Sequence, residues 1–232
     1  MRRVVITSED GSKTLALEEY QESYHSTHGA LSESIHIFIK EGLQHHLALN
    51  PGEKSISILE AGLGTGLNSL LTAIELKRYP EVINLRYTSI EKYPVTQEEA
   101  ALLDYPSLFP QNEEASTIYE RIHNEKWGEE ITLTEQMTLE KILGSFEEEF
   151  PKIMAESIDI IYYDAFSPET QPELWSEEIF SYLFKVLKKG GCLVTYSSKG
   201  IVKRALREVG FEVKRLSGPK GKKHIVRATK LL

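Results

Sequence analysis

Ile58-Leu59-Glu60-Ala61-Gly62-Leu63-Gly64-Thr65-Gly66-Leu67-Asn68 is the stretch on which the fold turns. Ser55–Glu60 reads as a strand, three glycines follow at alternate positions, and Gly66–Arg78 reads as a helix stopped by Tyr79-Pro80. Glycines so placed let the backbone approach a ligand closely and take positive φ without a Cβ clash. Strand, glycine turn and helix together open a doubly wound α/β sheet, where ligands bind beyond the carboxyl ends of the strands. The dinucleotide fingerprint G-x-G-x-x-G needs glycine at position 67, and the chain has Leu67 there.

Outward from this unit the chain alternates strands and helices. Leu85–Ile90 reads as the second strand and Pro94–Leu103 as a helix. Asp104–Gly128 is a polar insertion, broken by Pro106 and Pro110, with a helix near Glu114–Asn124. Ile131–Gln136 reads as the third strand and Thr138–Glu149 as a helix capped by Thr138. The fourth strand is Ile158–Tyr163, then a helix Pro172–Leu187, the fifth strand Gly191–Ser197, and a helix Lys199–Val209 ending at Gly210. Phe211–Leu216 and His224–Thr229 close the chain as strands joined by the turn formers Ser217-Gly218-Pro219-Lys220-Gly221. Alternation demands right-handed crossovers and a mostly parallel sheet, while the last pair, lacking a helix between them, forces one antiparallel strand. The expected fold is therefore α/β: a class I S-adenosylmethionine-dependent methyltransferase, Rossmann-like, with a seven-stranded mostly parallel sheet and a C-terminal antiparallel hairpin. The spacing E-x-G-x-G-x-G agrees, because S-adenosylmethionine has no pyrophosphate to seat on a helix N-terminus.

Ahead of the sheet, Val4–Thr7 and Lys13–Leu17 flank Glu9-Asp10-Gly11-Ser12, a hairpin signal, and Ser32–Leu49 is a helix closed by Asn50-Pro51-Gly52. Residues 1–52 are expected as a hairpin-and-helix extension packed on a Rossmann-like domain of residues 53–232, in one globular unit. Composition agrees, with 232 residues, 41% hydrophobic and 27% charged, enough to bury a core without staples. The single Cys192 excludes an internal disulfide, the N-terminus turns polar at Thr7–Asp10 before a leader core can form, and no apolar run reaches the roughly 20 residues of a membrane span. A cytoplasmic protein is expected. The seven histidines carry no metal-ligand spacing, and His45-His46 cannot both face one ion from a helix, so no metal is expected.

Charge is uneven. Between Lys199 and Lys230 eleven Lys or Arg stand against Glu208 and Glu212, a local +9 on a chain of net −8. Such an end could seat the phosphates of RNA, with Lys199, Lys203, Arg204, Arg207, Lys220, Lys222 and Lys223 as candidates and Ser198 lining the same side; it could also be a solvated helix and hairpin. Glu91, at the end of the second strand and 25 residues after Gly66, is placed to accept hydrogen bonds from a ribose diol. Asp164 ends the fourth strand in Tyr163-Asp164-Ala165-Phe166-Ser167-Pro168, where a carboxylate can orient an amine, stabilise a cationic transition state and receive a proton. Phe166 could pack on a base and Pro168 stiffen the loop. Trp175 fits either a base or the core. Tyr20–Ala30, polar and aromatic, reads as a segment folding over the cofactor.

Glu60–Asn68, Ile90-Glu91-Lys92-Tyr93-Pro94, Tyr163–Pro168 and Arg204–Phe211, with Tyr24–Ser34, together resemble the methyltransferase half of the MnmC-type bifunctional tRNA-modification enzymes. The resemblance covers nearly the whole chain. It implies methyl transfer from S-adenosylmethionine to the 5-aminomethyl group of a (2-thio)uridine at the wobble position of tRNA. The cofactor contacts then fall at Tyr24, Glu33, Glu60, Gly62, Gly64, Gly66, Asn68, Glu91, Lys92 and Asp164, with catalysis at Asp164, Phe166 and Pro168. An adenine-contacting acid usually follows the third strand, but here the residues are Glu135-Gln136-Met137-Thr138, so backbone near Met137 is expected in its place. The chain stops at Leu232 without the flavin-dependent oxidase domain of the two-activity members, so a stand-alone methyltransferase without FAD is expected. Methylation of a small molecule or a protein amine shares every cofactor motif, and a non-catalytic module binding RNA or a partner shares the fold.

Overall fold

The computed structural model describes residues 2–20 and 22–231. Its N-terminal strands β1 (Arg3–Thr7), β2 (Lys13–Leu17) and β3 (Glu22–Ser23) form a small antiparallel sheet, turned at Gly11 with φ 85°. A continuous helical run follows, α1 (Ala30–Ser34), a π-helical stretch Ile35–Gln44 and α2 (His45–Leu49).

The main sheet has eight strands: β4 (Ser55–Ala61), β5 (Asn84–Glu91), β6 (Glu130–Thr134), β7 (Met137–Leu143), β8 (Ile158–Tyr163), β9 (Leu187–Thr195), β10 (Glu212–Ser217) and β11 (His224–Thr229). Their order is β10-β11-β9-β8-β4-β5-β7-β6. The five strands from β9 to β7 run parallel, β10 and β11 close one edge antiparallel, and β6 closes the other. The connecting helices are α3 (Leu67–Leu76), α4 (Gln97–Leu103), α5 (Ala115–Asn124), α6 (Phe146–Glu149), α7 (Glu177–Val186) and α8 (Gly200–Glu208). Thr96 and Glu99 start α4 with a reciprocal capping box, which satisfies two backbone donors left over at the helix start.

The alternation of β8 builds the layers. Ile160 and Tyr162 face one core with Ile37, Phe38, Leu43 and α3, whereas Ile161 and Tyr163 face a second with Phe180, Leu183 and Leu206. The N-terminal helical run thus lies on the sheet, close enough that a Cβ on Gly42 would stand 3.0 Å from Tyr162 Cε1.

Two expectations fail between residues 130 and 149. The expected third strand is an antiparallel edge, β6, and the expected helix from Thr138 is β7, which pairs parallel with β5 from Leu85↔Met137 to Glu91↔Leu143. Met137, Leu139 and Lys141 are buried while Thr138, Glu140 and Ile142 are half-buried, a period of two that no helix gives. The sheet therefore has eight strands where seven were expected. Among the described residues no helix is long and apolar enough to cross a membrane.

Candidate active site

Chain order reverses direction between β4 and β8, and the carboxyl ends of these strands and their neighbours open a cavity of about 330 Å³. That lies within the roughly 300–1,000 Å³ of small-ligand sites. Gly62 turns out of β4 with φ 94°, and a Cβ there would stand 3.1 Å from Asp164 O. Gly64, φ 51°, lies under Tyr24, whose Cδ1 would be 3.1 Å from a Cβ. Both line the cavity. Gly66 does not: it takes φ 73° at the start of α3, and a Cβ there would meet His123 Nε2 and Ile122 Cγ2 of α5 at 2.9 Å, so conformation and packing both call for glycine at 66.

Glu91 ends β5 on the cavity wall. Its Oε2 accepts the Gly64 N–H at 3.0 Å and its Oε1 the Tyr93 N–H at 2.7 Å. A carboxylate has about four acceptor positions, so capacity for a diol remains. Lys92 also lines the cavity, its Nζ 5.6 Å from the Tyr93 ring centre. Glu60 sits beneath rather than on the wall, fully buried, with Ser89 Oγ donating to Oε2 at 2.8 Å. Burial pushes its carboxyl up to about 8, so near neutrality it is largely protonated.

Asp164 follows β8, its N–H bonded to Ala61 O at 3.1 Å, and its side chain meets the cavity. Asn68 Nδ2 donates to Oδ2 at 3.0 Å, while Asn68 Oδ1 is buried without a partner among the described residues. Burial, and then the Glu33 carboxylate, raise Asp164 to about 7 against the pull of Asn68 and Lys222. The loop beyond is pinned from within: Tyr196 Oη donates to Ala165 O at 2.9 Å, Trp175 Nε1 to Phe166 O at 2.8 Å, and Tyr163 Oη to Leu174 O. Trp175 is thus a core anchor. Phe166 lines the cavity edge-on to Tyr24, centroids 5.1 Å apart, whereas Pro168 is buried in the loop off the cavity wall. Glu22 of β3 clamps the loop by accepting the Ser167 N–H at 2.8 Å and the Thr170 hydroxyl. Tyr24 and Glu33 bring the N-terminal segment onto the same wall.

Met137 is misplaced by the sequence reading. It opens β7 in the core, and the carboxyl end of that strand presents Ser145, Phe146 and Glu147 to the cavity instead. The error follows directly from taking β6 for the third strand. His25 is another residue that sequence reasoning missed: it lines the cavity, its Nδ1 paired with Thr14 Oγ1 at 2.9 Å, and burial lowers it to about 4, so it is neutral. Nothing in its local sequence marks it.

The basic segment divides. Arg227 and Lys230 are internal, bonded to Glu41 Oε2 at 2.9 Å and Leu187 O at 2.8 Å. Lys203, Arg204 and Arg207 lie on α8, Lys220 and Lys223 on the β10–β11 turn; none of these lines the cavity, nor do Ser198 and Lys199. Lys199 pairs with Glu169 and Lys220 with Glu9. Lys222 alone of the group reaches the cavity. At the other end of the sheet His46, Glu53 and Asp159 gather, but the ammonium of Lys188, 2.8 Å from Asp159 Oδ2, already supplies a cation there.

A family model described as S-adenosyl-L-methionine-dependent methyltransferase matches residues 110–231. The protein from Cupriavidus necator called "tRNA 5-methylaminomethyl-2-thiouridine biosynthesis bifunctional protein MnmC" is 33% identical over 212 residues, which are 88% of this chain and 31% of that protein. Its counterpart of the same name in Chromobacterium violaceum is 30% identical over 94% of this chain and 33% of its own length. The chain spans about a third of these curated relatives. The crystal structure of MnmC2 from Aquifex aeolicus superposes with a TM-score of 0.79 at 26% identity, covering 98% of this chain and 70% of that one. Spermidine synthase from Thermotoga maritima, TM-score 0.58 at 16% identity over 99% of this chain and 69% of that one, shares the fold. A glycine turn of the right spacing, a switch-point cavity walled by Glu91 and Asp164, and a family match over half its length establish that the chain belongs to the S-adenosyl-L-methionine-dependent methyltransferases.

Proposed function

We propose that this methyltransferase converts 5-aminomethyl(-2-thio)uridine to 5-methylaminomethyl(-2-thio)uridine at the wobble position of tRNA. The observation that carries the reading is Asp164, a carboxyl raised to about 7 on the wall of the cofactor cavity and held by Asn68. The names of the relatives supply the substrate class. A tRNA substrate would place the reaction in the cytoplasm. Residues 1–52 belong to the working unit, since Tyr24 and Glu33 line the cavity.

The cavity fits the cofactor. Glu91 retains acceptor capacity for a ribose diol, Leu63 and Phe146 offer apolar faces to a base, and the unpartnered Asn68 Oδ1 offers an acceptor beside Asp164. Tyr24, Glu33, Gly62, Gly64 and Lys92 complete this binding wall, while Glu60 and Gly66 support it from behind. Bound there, S-adenosylmethionine supplies a methyl group on a sulfonium and leaves as S-adenosylhomocysteine when the carbon–sulfur bond breaks.

Asp164 does the rest. An alkyl ammonium has a reference pKa of roughly 10.4 and must lose a proton before its nitrogen can form a bond. Asp164, at about 7, takes that proton from a group some three units more basic, a cost on the order of 4 kcal/mol. As the nitrogen gains the methyl group it becomes cationic, and the acidic wall stabilises that charge. Phe166 limits water on one side, and Pro168 with Glu22 holds the loop in place.

The test is nucleoside mass spectrometry of tRNA containing 5-aminomethyluridine, incubated with the protein and methyl-labelled S-adenosylmethionine. Labelled 5-methylaminomethyluridine, absent with Asp164→Asn, is the expected result. Cofactor binding with no labelled nucleoside would overturn the tRNA assignment and direct attention to small amines and protein amines.

A further inference from the structure

Lys222 is the one cation of the basic C-terminal segment that lines the cavity. Its Nζ lies 2.5 Å from Glu33 Oε1 and 5.0 Å from the centre of the Tyr196 ring. Glu33 and Asp164 are both acids of the cavity wall, and Tyr196 lines it with them. A buried carboxylate beside an aromatic face, with the Asp164 carboxyl within electrostatic reach on the same wall, makes a receptor for a primary ammonium, since a buried anion needs a cation and the ring face adds attraction. The side chain filling it is itself a primary ammonium on an alkyl arm.

The turn carrying Lys222 is held from outside by exposed contacts. Lys220 Nζ pairs with Glu9 Oε2 at 2.9 Å, His36 Nε2 meets Ser217 O at 2.8 Å, and a Cβ on Gly221 would collide with the His28 ring. Lys220, 73% exposed, could exchange Glu9 for a phosphate, because a surface ion pair is worth roughly 0–1 kcal/mol. Lys223 is exposed on the same turn. RNA docking on this turn would draw Lys222 with it.

We propose that Glu33, Asp164 and Tyr196 form the substrate's ammonium subsite, that Lys222 occupies it in the free protein as an internal stand-in, and that RNA contact with the Ser217–His224 turn withdraws it. This rests on the amine-methylating reading and assigns Lys222 a positioning role in place of a phosphate contact. The stand-in keeps Glu33 paired while the subsite holds no substrate and excludes adventitious amines until RNA arrives. Apparent affinity for a free amine is then reduced by the fraction of molecules whose subsite is vacant.

The test is an isothermal titration of the full chain, saturated with S-adenosylhomocysteine, with the nucleoside 5-aminomethyluridine and, separately, with ethylammonium. Lys222→Met should bind both about tenfold or more tightly than the native chain, as expected if the subsite is vacant in about a tenth of native molecules. Lys222→Arg should behave as native, and Lys222→Met with Glu33→Gln should lose the gain. Circular dichroism checks that each variant is folded, and the double variant relieves any destabilisation from the unpaired acid. Gain for ethylammonium alone would uphold the subsite and reject the nucleoside assignment. Equal affinities for both amines in native and Lys222→Met chains would overturn the proposal. So would a Lys222→Met chain whose one change is a shallower salt dependence of tRNA binding, since Lys222 would then be a phosphate contact.

Discussion

Asp164 and Glu60 are two carboxyl groups raised chiefly by burial, yet placed differently: one opens onto the cavity and the other lies behind it. For Asp164 the consequence is kinetic. In its proposed role it must be ionised to accept a proton, so the rate should fall as pH drops through about 7, and Asp164→Asn should lose roughly 10²–10⁴-fold in kcat while S-adenosylhomocysteine still binds normally. A variant that keeps full kcat with an unchanged pH profile would remove Asp164 from catalysis. For Glu60 the consequence is thermodynamic. Its proton is held more tightly in the folded chain than in the unfolded one, so its contribution to stability is complete below the unfolded value near 4.5 and is lost as pH rises through about 8. Glu60→Gln keeps an acceptor for Ser89 and cannot ionise. Scanning calorimetry at pH 5 and pH 8 should show Tm falling less across that interval for Glu60→Gln than for the native chain; an equal fall would mean that the carboxyl is already charged in the fold.

At the scale of elements, what could be read in the chain divides along a physical line. Glu60–Asn68, Glu91 and Asp164 were legible because each sits where a β-run ends and a local motif begins, and the sheet then gathers those ends at one edge. β7 was not legible, because Thr138-Leu139-Glu140-Lys141-Ile142-Leu143 is rich in residues that favour helices and its third inward position is a lysine. Lys141 is tolerated there because its ammonium reaches out to Ile122 O at 2.7 Å and Glu125 O at 2.6 Å, at the end of α5, where a cation also meets the helix dipole. The core overrode propensity. His25 and Glu22 were invisible for another reason: their partners are elsewhere, Glu22 being bonded to a loop some 145 residues away. Removing that clamp by Glu22→Ala should free the Ser167 amide, so hydrogen exchange at Ser167 and Thr170 should accelerate while β8 stays protected. No change in exchange would show that the three internal donors to Ala165, Phe166 and Leu174 suffice without the extension.

For the whole molecule the question is how a chain of net −8 could hold a polyanion. The answer lies in the antiparallel strand. β9 runs toward the cavity edge and hands the chain to α8, while β11 runs the other way, pairing Val226 with Thr195, so the turn before it returns to that same edge. Lys203, Arg204 and Arg207 on α8 and Lys220 and Lys223 on the turn therefore belong to two elements that both begin or end at the edge where the cavity opens. Internal pairing of Arg227 and Lys230 reduces the segment's outward charge, so a modest number of neutralised phosphates is expected. Removing a cation that neutralises one phosphate should flatten log K against log salt by roughly 0.9 for duplex and 0.7 for single strands. Arg204→Gln with Arg207→Gln should thus lower the slope of tRNA binding by about 1.4 to 1.8 and weaken binding to all tRNAs alike. Methylation of the free nucleoside 5-aminomethyluridine should be untouched, because neither arginine lines the cavity. Equal slopes for native and doubly substituted chains would move the RNA surface off α8 and leave the β10–β11 turn to hold it.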